Sequence, residues 1–537
     1  MKILLAFKRM YPSLRDLALI SWVGGGSILL MSCAVGPDFK PPEHPRVDAY
    51  TTTPLPNATA AARGPAGQAQ TFQPGRDIAA EWWTEFHSPE LDSLVRKALK
   101  ANPNVEAARA ALRQAQENVY AQQGYYFPTV QASYSPSRIK ISGNTGGNSP
   151  GIQGNGSVIS TTSNTPSSQG GTAPFNEPVT YNWHSAQLTV GYAVDVFGGN
   201  RRQVESLQAQ MEAQRFEYEA TVITLTSNVV AAAIQEAAVR EQIEATKRVI
   251  EMNERSLVIV RHQFDVGYAM GIDVATQEAA LSQVRQTLPP LTKELEQTRD
   301  LIRALVGNLP SEEVPEKFTL DRLHLPADLP LSLPSKLVEQ RPDIRAAEAQ
   351  LHSASAQVGV AIAARLPQIS ISGTFGGNAS VFSQMFSASG QFFNIAGNVA
   401  QTLFDGGTLL HRKRAADEAL SQAEQQYRST VLTAFENVAD TLHAIQSDAD
   451  ALAAAVEAEA AAKKTLDITR RQEQSGFVSY QTLLAADEAY QQALINSIQA
   501  RATRLGDTAA LFQALGGGWW NSEEPAPERR SASALSR

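Results

Sequence analysis

The chain has 537 residues, a formal net charge of −8 and 19% charged residues, an ordinary balance for a folded protein that carries no basic stripe for nucleic acid. Its one cysteine precludes an internal disulfide, and its eight histidines show no metal-ligand spacing. With no nucleotide loop and no nucleophile elbow either, composition and motifs point away from an enzyme.

Lys2, Lys8, Arg9 and Arg15 precede an apolar run over residues 17–31 that is short and interrupted by Gly24, Gly25 and Gly26. This pattern predicts an export signal over 1–32 rather than a spanning helix. Leu30-Met31-Ser32-Cys33 resembles a bacterial lipobox, in which the cysteine becomes the lipidated first residue; a covalent lipid on Cys33 is thus expected, and no other cofactor. Residues 33–80 are rich in Pro, Ala, Thr and Gly without a hydrophobic period, which predicts an extended, largely irregular strap. Order is expected from Trp82-Trp83, and Ser88-Pro89-Glu90-Leu91 reads as a capped helix start.

Short alternating segments follow. Val130, Ala132 and Tyr134 alternate with polar neighbours, and Leu188, Val190, Tyr192, Val194 and Val196 alternate with small or polar residues up to Gly198-Gly199. Ile369 and Ile371 alternate with Ser370 and Ser372, and a weaker strand is expected from about Phe393 to Phe404, before Asp405-Gly406-Gly407. Apolar on one face and polar on the other, four such strands suit a transmembrane barrel, although a half-buried soluble sheet has the same pattern at this length. Residues 140–183, rich in Gly, Ser, Asn and Thr, read as an external hairpin loop.

Residues 201–266 and 409–475 contain neither Pro nor Gly, and as helices each would extend on the order of 100 Å. Leu207, Met211, Gln214, Tyr218, Val222, Leu225 and Val229 define one helix face, and Leu420, Ala423, Tyr427, Val431, Ala434, Val438 and Leu442 the other. Steps of four, three and four sum to eleven, a period that favours nearly straight packing. Each run ends at a glycine turn, Gly267 or Gly476, after which a second helix returns. Pro289-Pro290 predicts a kink or break in the first return helix. Five prolines over 307–335 mark a linker, and the tail after Trp520 reads as disordered.

The chain repeats itself. Pro103, Ala107, Leu112, Val119, Pro128 and Ser133 are answered at equal spacing by Pro342, Ala346, Leu351, Val358, Pro367 and Ser372, and Arg261, Gln263 and Gly267 by Arg470, Gln472 and Gly476. The expected organisation is a first repeat over 81–306, the linker over 307–335, a second repeat over 336–518 and a tail over 519–537. Four strands cannot close a barrel, and lipid does not tolerate an open sheet edge, so membrane-embedded strands would require sister chains. Two chains give eight strands with a filled interior; three give twelve and leave a passage.

Several motifs together resemble one family. Cys33-Ala-Val-Gly-Pro-Asp-Phe-Lys-Pro-Pro42, Trp82-Trp83 with Phe86, Gln340-Arg-Pro-Asp-Ile344, Leu403-Phe-Asp-Gly-Gly407 and Ala514-Leu-Gly-Gly-Gly-Trp519 resemble the TolC/OprM-like outer-membrane factors, in particular the NodT group of lipoproteins. The resemblance implies a mixed α and β membrane protein, lipid-anchored in the outer membrane of a Gram-negative bacterium. It further implies a homotrimer in which duplicated units build a transmembrane β-barrel continued by a periplasmic α-helical barrel. The implied partners are a periplasmic adaptor protein, docking at the turns around Gly267 and Gly476, and an inner-membrane pump of the resistance-nodulation-division type; the cargo would be small toxic compounds. The family's lumenal aspartate ring falls here on Thr482 and Ala485, which leaves Asp273 and Asp487 as candidate gate residues. Two alternatives stay open: a polypeptide secretion duct, and a lipid-anchored coiled-coil scaffold, which would leave the strands unexplained.

Overall fold

The computed structural model describes residues 34–45, 47, 49–141, 151–152, 158–159 and 179–522. The expected signal segment, Cys33, most of the expected external loop and residues 523–537 of the expected tail lie outside the described residues. In chain order the elements are β1 (Thr71–Pro74), α1 (Pro89–Ala101), α2 (Pro103–Gln123), β2 (Thr129–Ile141), the two-residue strands β3 (Gly151–Ile152) and β4 (Val158–Ile159), and β5 (Val179–Val194). Then come α3 (Gly199–Asp265), α4 (Gly271–Leu305), β6 (Asp328–Leu331), α5 (Pro334–Gln340), α6 (Pro342–Ala363), β7 (Gln368–Ala379), β8 (Gln391–Ala400), α7 (Thr408–Gln474) and α8 (Tyr480–Ala514).

The repetition is written into element lengths: α3 and α7 each have 67 residues, α4 and α8 each 35. Two compact units result. One contains residues 34–39, 117–208 and 353–420; the other contains 40–116, 209–352 and 421–522.

The first unit is built on an antiparallel sheet of order β2-β5-β7-β8. Val130 pairs with Val190, Leu188 with Phe375, and Phe375 with Phe393. Pro136 lies in β2, an edge strand among the described residues, where the absent N–H is tolerated. Several strand ends differ from expectation: β2 runs past Tyr134 to Ile141, β7 runs on to Ala379, and β5 stops before Val196. Val179–Val194 reaches into the expected loop, because Tyr181 and Thr180 continue the ladder opposite Ile139 and Lys140. The last strand stops at Ala400 rather than near Phe404, since Asp405 turns the chain: its carboxylate accepts from Gly407 N at 2.9 Å and Leu409 N at 2.7 Å, capping α7. Asp195 does the same for α3, accepting from the amides of Asn200 and Arg201.

In the second unit Trp82 stacks on Phe512 with ring centroids 5.2 Å apart, over a core that includes Phe86, Leu91, Leu94, Leu337 and Leu505. Ser88 caps α1 by accepting from Leu91 N. The motif pair Gln340–Asp343 and Gly516–Trp519 meets here: Trp519 Nε1 donates to Gln340 O at 2.7 Å, and Arg341 Nη1 donates to Ala514 O at 2.9 Å. Gly516, Gly517 and Gly518 all have positive φ, which explains three consecutive glycines.

The residues 307–335 are not plain linker. Leu320, Leu323, Leu325 and Leu329 are buried between the prolines, and β6 pairs in parallel with β1 of the strap. Arg504 of α8 fixes the strap. Its guanidinium is fully buried and donates to Thr59 Oγ1 and Gln68 O at 3.0 and 2.9 Å and to Ala66 O at 3.2 Å, and the charge of Asp448 also acts on it. Burial lowers its pKa.

Pro289 and Pro290 do not break α4, which is continuous across them. Both are exposed, as are Arg285 and Gln286, whose carbonyls lose their helical donors and are free to take water instead. The expected face of α7 is its buried stripe, from Tyr427 through Val431, Ala434, Val438 and Leu442. In α3 the expected Leu225 and Val229 are buried, but over 209–223 the buried positions are Ala209, Ala213, Phe216 and Ile223, with the expected Met211, Tyr218 and Val222 half-buried. The two stripes are adjacent on one helix, so periodicity alone located the apolar half and not its centre.

Candidate functional site

Three features carry function. The first is the sheet. Register places Val130, Tyr134, Leu188, Val190, Ile371, Phe375, Phe393, Ile395 and Val399 on one face, and all are exposed; Phe393 and Ile395 are 77% accessible. The opposite face carries Gln131, Ser133, Thr189, Ser372, Thr374 and Asn394. A soluble sheet buries its apolar face; an exposed contiguous patch of this kind marks a contact with lipid or protein.

The second feature is the pair of turns that end α3 and α7. Gly267 has φ of 82° and Gly476 φ of 72°. After α3, Tyr268 N donates to Gln263 O at 2.8 Å and Gly267 N to Phe264 O at 3.0 Å; after α7, Phe477 N donates to Gln472 O and Gly476 N to Glu473 O, both at 2.9 Å. These are Schellman closures, in which a left-handed residue satisfies the last helix carbonyls, and they explain why glycine is repeated at both sites. Each glycine is followed by an aromatic ring standing in solvent, Tyr268 at 88% and Phe477 at 82% accessibility.

The third feature lies beyond those turns. Asp487 is 9% accessible, and its carboxylate accepts from Gln491 Nε2 at 2.6 Å and Asn253 Nδ2 at 3.3 Å. Gln277 Nε2 donates to Asn253 Oδ1 at 3.0 Å, and the Tyr480 hydroxyl donates to Gln277 Oε1. A single relay thus ties α3, α4 and α8 together beside a cavity of about 560 Å³ lined by Val249, Val284, Leu484 and Asp487. Burial raises the Asp487 carboxyl above the usual carboxylate range against the pull of the two amides and of Arg470, and burial raises the Tyr480 hydroxyl as well.

Of the candidate gate residues, Asp487 therefore sits inside the helices of one chain. Asp273 has a different task, accepting from Met270 N at 2.8 Å at the start of α4. Thr482 N is itself capped by Ser479. Sequence reading missed Asn253, Gln277, Tyr480 and Gln491. A signal existed for Asn253, a polar residue between Val249 and Leu257 on a stripe of buried positions four apart.

Cys33 is outside the described residues, but the residues after it are held firmly in the first unit. Val35 N donates to Phe197 O at 3.1 Å, and Arg202 donates to Val35 O at 3.1 Å and to Asp38 at 2.7 Å. The start of the strap is thereby fixed where β5 gives way to α3.

The chain thus combines a sheet that exposes an apolar face with two pairs of long helices, each pair closed by the same glycine turn. The family model described as "Outer membrane efflux protein" matches residues 94–308 and 333–517, and the chain belongs to that family. It is 28% identical over 457 residues to the pyoverdine export outer membrane protein OpmQ of Pseudomonas aeruginosa, a match covering 84% of this chain and 90% of the relative. It is 26% identical to the toluene efflux pump outer membrane protein TtgC of Pseudomonas putida, covering 97% and 99%, and 24% identical to the cation efflux system protein CusC of Escherichia coli, covering 92% and 97%. The solved outer-membrane channel OprN superposes with a TM-score of 0.76 at 26% identity, covering 91% of this chain and all of OprN. The solved open-state MtrE channel of Neisseria gonorrhoeae, at 22% identity and a TM-score of 0.73, shares the fold and covers 92% of this chain and all of MtrE. The protein is an efflux channel component of the outer membrane.

Proposed function

We propose that three copies of this chain form the exit duct of a tripartite efflux system, carrying small toxic compounds from an inner-membrane pump of the resistance-nodulation-division type, through a periplasmic adaptor, to the exterior. The observation that carries this reading is the four-stranded sheet with an exposed apolar face and two edges, β2 and β8, unpaired among the described residues. An unpaired edge in hydrocarbon leaves each amide and carbonyl without a partner, at several kcal/mol per group. Sister chains remove the edges, and three give twelve strands with the polar face around a lumen. Leu403 and Phe404, almost fully exposed below β8, and the half-buried second stripe of α3 are surfaces that neighbours would cover.

The duct works by geometry rather than bond chemistry, so the reading assigns no catalytic residue. The turns at Gly267 and Gly476, with Tyr268 and Phe477, would meet the adaptor, and the Asp487 relay would hold the neighbouring helices in the resting state. Cys33 would carry the lipid, as the relative SilC of Salmonella typhimurium, named a probable outer membrane lipoprotein and 25% identical, supports. The cargo is proposed as small because OpmQ, TtgC and CusC are named for pyoverdine, toluene and cations. The test is the purified protein in detergent and in planar bilayers: a trimer with steady conductance is expected, whereas a monomer whose strands exchange freely with water overturns the reading. Loss of the gene product should also sensitise cells to toxic compounds.

A further inference from the structure

The hairpin between β7 and β8 does not stand away from the sheet. Its single 3-10 turn, Phe382–Phe386, folds back over the apolar face. Phe382 lies edge-on to Tyr134 and to His184, with centroids 5.9 and 6.0 Å apart, and Tyr134 Oη is hydrogen-bonded to His184 Nδ1 at 2.9 Å. Met385 is buried against Gly377, where a Cβ would come within 2.1 Å of Met385 O, so only glycine allows this approach. Beneath the turn lies a hollow of about 490 Å³, lined by Ala132, Tyr134, Ala186, Leu188, Met385 and Phe386.

The hollow is continuous with the exposed apolar face through Leu188 and Phe375, and no charged side chain lines it. Along β2 on that same face come Arg138 and Lys140, both exposed, four and six residues beyond Tyr134, or roughly 13–20 Å at strand rise. We propose that this hollow binds one anionic membrane lipid, an acyl chain lying under Phe386 and Met385 and the phosphate head reaching Arg138 and Lys140. Aromatic rings between an apolar stretch and two cations match the order of acyl chain, interface and head group in a leaflet. The inference rests on the apolar sheet face meeting lipid.

The test uses the full-length protein in vesicles containing phosphatidylglycerol or phosphatidylcholine with a photoactivatable acyl chain, with adducts mapped by mass spectrometry. Adducts on Met385, Phe386 and Tyr134 are expected, several-fold more with phosphatidylglycerol. Ala186→Leu, which fills the hollow, should remove them and leave adducts on Phe393 and Ile395 intact, and the pair Arg138→Gln and Lys140→Gln should equalise the two lipids. Adducts on Phe393 and Ile395 with none on Met385 overturn the lipid site alone, as does equal labelling by both lipids in the unaltered protein. Absence of adducts on Phe393 and Ile395 overturns the membrane reading beneath it.

Discussion

The α3–α4 and α7–α8 pairs have equal lengths and the same closing turn, yet α8 buries thirteen positions and α4 four. Duplication thus preserved backbone and turn chemistry while the side chains took different tasks. At an offset of 209 residues, Arg504 is answered by Leu295, Asp487 by Glu278, Asp448 by Val239 and Thr482 by Asp273. The buried Arg504 and Asp487 of α8 have a half-buried leucine and an exposed glutamate as counterparts in the first copy, which makes these pairs internal controls for one another.

The largest difference is expected at Arg504. Arg504→Ala leaves buried Thr59 and the carbonyls of Ala66 and Gln68 short of a donor, each such group costing about 1–3 kcal/mol, so the strap should loosen and become sensitive to protease. Leu295→Ala, at a half-buried position, should cost about 1 kcal/mol and leave the strap protected. Limited proteolysis and denaturant midpoints compare them; equal effects would mean that the Arg504 clamp contributes nothing beyond packing.

Asp487→Ala comes next. It removes the acceptor of Asn253 and Gln491, a loss of about 1–3 kcal/mol, and should raise resting conductance. Glu278→Ala breaks only an exposed pair with Arg261, 2.6 Å apart, worth about 0–1 kcal/mol, and should leave conductance unchanged. Unaltered conductance in Asp487→Ala removes the relay from the resting closure.

The same pairing shows what was legible in the sequence. Glycine at 267 and 476 announced both turns, because only a residue tolerant of positive φ closes a Schellman motif, and the 4-3-4 spacing of Tyr427 to Leu442 announced the buried face of α7. Strand alternation announced the two faces of the sheet. The Arg504 clamp and the Gln277–Asn253 contact were not legible. Each joins residues far apart in sequence, and a buried arginine satisfied by carbonyls reads in sequence like any solvated helix position. The β1–β6 ladder was hidden by prolines, whose local signal outweighed the four leucines that anchor the segment.

A smaller effect separates Asp448 from Val239. Burial, with Asp507 beside it, pushes the Asp448 carboxyl up to about 7, and Arg504 opposes this. A carboxyl raised in the folded state takes up protons on folding, so its contribution is most favourable below its ordinary value near 4 and is lost as pH rises through about 7. Asp448→Asn should flatten the fall in melting temperature between pH 4 and pH 7 and stabilise the protein at pH 8. An unchanged profile would show that Asp448 and Asp507 are hydrated rather than crowded.

The smallest expected difference tests the helix starts beyond the two turns. Asp273 accepts from Met270 N at 2.8 Å and also places a carboxylate at the positive end of α4, whereas Ser479 accepts from Thr482 N at 3.4 Å without a charge. Asp273→Ala should therefore cost about 1 kcal/mol and Ser479→Ala about 0.5 kcal/mol, both read from thermal unfolding. The hydrogen bond and the charge together make the first cap the stronger, and Asp273→Asn, which keeps an acceptor but not the charge, should fall between them. Because a cap acts on helix ends and a gate acts on the bore, conductance decides which role Asp273 has. Resting current that rises in Asp273→Ala without a matching loss of stability would make it a gate residue; a stability loss with unchanged current leaves it a cap, and leaves the second copy alone to hold the bore closed.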